Sequence, residues 1–105
     1  MLTYGMKSQF GVICGDSTKA VFFLNEYLLP SLDEGKSVRL DFTGVRVINS
    51  SFSNALFGNL IRTKGRKVLD SMALANMCPI IESEVKSGIS LGLKSSNSNN
   101  SLALA

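Results

Sequence analysis

Two spacings of apolar residues alternate along the chain. Over residues 37–42, SVRLDF, Val38, Leu40 and Phe42 take every second place with Arg39 and Asp41 between them, the period of a strand with one buried face. Over residues 19–29, KAVFFLNEYLL, Ala20, Phe23, Leu24, Tyr27 and Leu28 recur at intervals of three and four, the period of a helix face. Phe22 and Leu29 fall on another face of that helix, which makes it apolar over more than one stripe. Asp16 or Ser17 supplies an N-cap for it, and Pro30 and Gly35 end or kink it. A second helical stretch carries Phe52, Ala55, Leu56 and Leu60 on one side. Gly58 inside it costs about 1 kcal/mol relative to alanine, which points to close packing against another element.

The remaining segments are shorter. LTYG (2–5) and QFGVIC (9–14) read as strands joined by a turn at Met6-Lys7-Ser8, and VRVI (45–48) as extended. KVLDSMALA (67–75) reads as a strand, and residues 76–93 as a last helix with Pro79 in its first turn and Gly88 weakening its second half. The order β-β-α-β-α-β-α predicts an α/β domain over 1–93, a small mixed sheet with helices packed on it. Right-handed crossovers make its later strands parallel. Residues 94–105, KSSNSNNSLALA, have no periodic apolar face and are expected to be a disordered tail.

Composition changes this picture in one respect. The chain has 105 residues and is 45% hydrophobic, and a domain this small has little interior for its surface. Part of that apolar area is available to a partner, as a homodimer or a docking face, unless the core is simply dense. The net charge of +3 comes from interspersed acids and bases, an ordinary solubility balance and no footprint for nucleic acid. There is no apolar run long enough for a membrane and no signal peptide. Two distant cysteines, Cys14 and Cys78, and no histidine exclude a structural zinc within one chain and a Cys-His nucleophile pair. Both thiols read as buried and inert in a reducing cytoplasm. No cofactor is expected.

Candidate chemistry centres on VINSSFSNALFG, residues 47–58, where Asn49-Ser50-Ser51 stands between an extended run and a helix. Ser50 and Ser51 suit a capping role, because a side-chain oxygen there satisfies free backbone N–H groups. The same place, a helix start at the carboxyl end of a strand, is where open α/β sheets hold ligands and where an anion or phosphoserine is tolerated. Asp41 reads as a loop-shaping carboxylate that binds N–H groups over 44–51, together with Asn49. Arg62, Lys64, Arg66 and Lys67 form a basic turn without interleaved aromatic residues. Nucleic-acid or nucleotide binding through that turn (62–67) and the helix N-termini is the alternative function.

The segment VRLDFTGVRVINSSFSNALFGNL, residues 38–60, resembles the STAS-like domains, relatives of the bacterial anti-sigma-factor antagonists. The shared pattern is Leu40-Asp41-Phe42, Gly44-Val45, Ile48, a Ser-Ser pair and a helix carrying Gly58. The small STAS-like family of unknown function opens this helix with a Ser-Phe pair, as Ser51-Phe52 does here. The resemblance implies a non-enzymatic regulatory fold that binds another protein. In the antagonists, a serine matching Ser50 is phosphorylated by a histidine-kinase-like ATPase partner, which releases the complex. This chain departs from them at Asn49, where aspartate is usual, and at Phe52, where glycine or alanine is usual. The corner at Ser50–Phe52 and the first long helix, with Phe22 and Leu29, form the expected interaction face.

Overall fold

The computed structural model describes the backbone of residues 1–104 and the side chains of residues 1–94. Of the expected disordered tail over 94–105, only Lys94 is among the fully described residues.

Strands β1 (Leu2–Gly5), β3 (Val38–Asp41) and β5 (Met72–Ala75) form one parallel sheet in the order β1-β3-β5. Their register aligns Leu2 with Val38 and Met72, and Tyr4 with Leu40 and Leu74. These six residues share one face, on which Val38 and Leu40 are completely buried. On the other face Thr3 and Arg39 are exposed. A two-residue pair, β2 (Ile13–Cys14) and β4 (Val47–Ile48), forms a second parallel sheet. Period two governs it as well: Cys14 and Ile48 point into the core, while Ile13 and Val47 point out. The architecture is thus α/β with helices packed on the strands; the described residues form five strands in two sheets, and every observed pairing is parallel.

Two local readings change. Met6–Phe10 is a short helix, α1, instead of a turn running into a strand. Met6 and Phe10 are four residues apart, so one helical turn directs both inward, and Gly11, at φ +89, stops it. Residues Arg66–Ser71 form a 3₁₀ helix, leaving only Met72–Ala75 as strand.

The first long helix runs from α2 (Ser17–Phe23) through a π-helical turn (Leu24–Leu28) into α3 (Leu29–Asp33). Asp16 caps it, its carboxylate accepting from Thr18 N at 2.9 Å and Lys19 N at 3.2 Å. The second is built alike, from α4 (Ser50–Ser53) through a π-helical turn (Asn54–Gly58) into α5 (Asn59–Lys64). The last, α6, spans Pro79–Leu104 and continues straight through Gly88.

Gly88 is what lets α6 touch α4. A Cβ on it would stand 2.3 Å from Ser53 Oγ and 2.7 Å from Ser53 O, and one on Gly92 would stand 2.8 Å from Gly58 O. Ser53, buried, donates its hydroxyl to Glu84 O at 2.6 Å across the same contact. Close packing at Gly58, expected from the sequence, is therefore met by the glycines of α6.

Candidate functional site: the corner at Asn49

Strand β4 ends at Ile48 and α4 begins two residues later, so Asn49 alone makes the corner. Its Oδ1 accepts from Phe52 N at 2.8 Å, and its Nδ2 donates to Gly15 O at 3.1 Å. Its backbone N–H donates to Cys14 O at 3.2 Å. Asn49 is therefore the N-cap, and the capping role expected of Ser50 or Ser51 is corrected. A cap must stand just outside the first helical turn, whereas both serines lie inside it. Aspartate could accept from Phe52 N but could not donate to Gly15 O. The asparagine thus ties the loop ahead of α2 to the start of α4.

Because β2 and β4 pair in parallel, the starts of α2 and α4 lie side by side beyond their carboxyl ends, one capped by Asp16 and the other by Asn49. Ser50 and Ser51 are exposed there, and neither hydroxyl makes a hydrogen bond among the described residues. Next to them in the fold, Ile13 and Val47 are register partners, with 63% and 45% of their surface exposed, and Val12 is exposed as well. This apolar pair was missed in the sequence. The run VIC at 12–14 fits a strand of either phase, and only the pairing shows which residue faces out.

Phe52 does not belong to any surface. Its side chain is completely buried and meets Phe10 edge-on, with centroids 4.7 Å apart. The ring that departs from the antagonist pattern fills the core beneath the corner. Of the two helix positions, Phe22 is 58% exposed, whereas Leu29 is half-buried and packs on the core.

Asp41, at the carboxyl end of β3, accepts three hydrogen bonds at Oδ1: from Thr43 N at 3.0 Å, Thr43 Oγ1 at 2.7 Å and Asn76 Nδ2 at 3.0 Å. The Asn76 bond first, then those from Thr43, hold its carboxyl down to about 2. Its partners are Thr43 and Asn76 and not the N–H groups of 44–51, so it pins the turn after β3 to the end of β5.

The basic turn is divided. Lys64 pairs with Asp33, Arg62 donates to Asn59 Oδ1 at 2.7 Å, and Arg66 and Lys67 share the 3₁₀ helix with Asp70. Cys14 is buried, which pushes its thiol up to about 11. Cys78 is exposed just ahead of α6, which corrects the expectation that both thiols are buried. No group of three His, Cys, Asp or Glu residues comes together among the described residues in a way that could hold a metal ion, and no helix among them is long and apolar enough to cross a membrane.

Parallel strands, helices starting at their carboxyl ends and a hydroxyl-bearing corner define the class, a small STAS-like α/β module. The profile of the family described as STAS-like domain of unknown function (DUF4325) matches residues 21–81, and the chain belongs to that family. Comparison with curated proteins and with solved structures gives no match.

Proposed function

We propose that the chain is a non-enzymatic regulatory module that docks on another protein through the corner formed by Val12, Ile13, Val47, Ser50 and Ser51. The carrying observation is the outward-facing pair Ile13 and Val47, two β-branched side chains held in water beside the start of α4. Rigid strands present them, so a partner covers them at little cost in ordering. The serines at the edge of this patch make it switchable. A phosphate on Ser50 adds roughly −1.5 to −2 charges, which the free N–H groups of the helix start accept and a desolvated interface does not. A kinase-type ATPase partner is the reading that joins the exposed hydroxyl to the family resemblance. Asn49 keeps the corner rigid without placing an acid next to Ser50.

The test is affinity capture from the native host on wild-type protein, with Ile13→Asp, Ser50→Asp and the remote control Lys67→Glu in parallel. The reading expects a protein retained by wild type and by Lys67→Glu and lost from the two corner variants. Equal retention on all four, with each variant folded, refutes it.

A further inference from the structure

The outer face of α2 shares no residue with the patch around Ser50. Phe22 stands with its ring 58% exposed and steadied by Tyr27, whose ring centroid is 6.3 Å away. Beside it opens a groove of about 390 Å³, lined by Gln9, Phe10, Thr18, Lys19, Phe23 and Tyr27 together with Phe22 itself. A projecting ring and an aromatic-lined recess therefore lie next to each other on one patch. Two charges flank the ring along the helix, Lys19 one turn before it and Glu26 one turn after, and both are exposed.

From this arrangement we infer that the α2 face binds a second copy of this chain. A two-fold axis beside Phe22 runs the two helices antiparallel. In such a contact the same patch serves both sides, so each Phe22 enters the groove of the other chain. The axis also brings Lys19 opposite Glu26 of the second copy, and Glu26 opposite its Lys19, so the flanking charges attract twice. A parallel arrangement would oppose Lys19 to Lys19 and Glu26 to Glu26. Knob, recess and charges are thus self-complementary in one orientation only, and that singles out the chain itself as occupant. The inference is independent of docking at the Ser50 corner, because it uses other residues and is tested on the purified chain alone.

Sedimentation equilibrium on the wild-type chain should show monomer passing to dimer over roughly 1 µM to 1 mM. Phe22→Ser should weaken the dimer at least about 30-fold, as expected for an aromatic anchor. Lys19→Glu and Glu26→Lys, each opposing like charges twice, should each weaken it roughly fivefold. The double change Lys19→Glu with Glu26→Lys should restore it to within about twofold, since the pairs reform with their signs exchanged. If Phe22→Ser failed to fold, the charge variants would decide alone. A wild-type chain that stays monomeric at 1 mM, a dimer indifferent to these changes, or a double variant no better than the singles overturns the inference. A monomeric chain that binds some other protein through Phe22 would assign the face to that partner and overturn it equally.

Discussion

The contact between α4 and α6 and the outer face of α2 meet opposite fates, one closed and the other open to water. At the first, Ser53 and Gly58 let α6 approach until Gly88 and Gly92 touch the backbone of the facing helix. At the second, Phe22 projects into solvent beside a groove that no part of the described chain fills. Small residues close one face from within, and a large ring leaves the other unfinished. The comparison shows that burial in this domain is decided less by hydrophobicity than by whether a partner element can come near. The corner at Asn49 combines both conditions, with Phe52 sealed beneath it and Ile13 and Val47 open above.

Emptying the sealed side should have the largest effect. Phe52→Ala removes a fully buried ring and its edge contact with Phe10, which should cost about 3–5 kcal/mol in urea unfolding. Gly88→Ala comes next. Its new methyl meets Ser53 Oγ and O well inside contact distance, so a cost of about 1–3 kcal/mol is expected despite alanine's better helix propensity. A neutral or stabilising Gly88→Ala would mean that the helices do not meet at these residues.

The corner itself should discriminate among three adjacent polar residues. Asn49→Ala removes the cap on Phe52 N and the bond to Gly15 O, for about 1–2 kcal/mol. Ser50→Ala and Ser51→Ala remove no hydrogen bond in the fold and should stay within about 0.5 kcal/mol. Melting curves of the three variants side by side check the assignment, and a costly Ser50→Ala would restore the serine as cap.

Asp41 gives a smaller effect with a defined pH window. Its folded carboxyl is held down to about 2, against about 3.9 for an unperturbed aspartate. A group whose folded value is depressed contributes stability that is fully present above the unfolded value and is lost as pH falls through the folded one. Wild type should therefore melt above Asp41→Asn at neutral pH, and the gap should close between about pH 4 and pH 2. A gap that stays constant to pH 2 would show that the hydrogen bonds from Asn76 and Thr43 do not favour the ionised form.

Much of this was legible in the chain. Period two at Val38, Leu40 and Phe42 marks the central strand, and the i, i+3, i+4 series from Ala20 to Leu28 marks the first helix, because each buried face imposes its own spacing. Gly58 announced a close approach, but its partner Gly88 read as weakness in α6, and Gly92 drew no notice, since glycine's low propensity is visible locally and its packing role is not. Asn49 and the serines share the chemistry of a cap, and only the placement of the helix start separates them. The outward Ile13 and Val47 became visible with strand register, a long-range property that neither short run encodes. Phe52 shows the converse: its spacing with Ala55, Leu56 and Leu60 already marked a buried helix face, and only its departure from the antagonist pattern suggested a surface ring. It is core, where α1 brings Phe10 to meet it.

The central claim is that Ile13, Phe22 and Val47, exposed as they are, contribute nothing essential to the fold, as the two proposed contacts require. The most direct test is the thermal melt of the triple variant Ile13→Thr, Phe22→Lys, Val47→Thr against wild type, at a concentration low enough that self-association adds nothing. A cooperative transition within about 5 °C of wild type is expected, in line with small costs at exposed sites. Loss of cooperativity, or a fall of more than about 15 °C, would show that these side chains belong to the core and contradict the account.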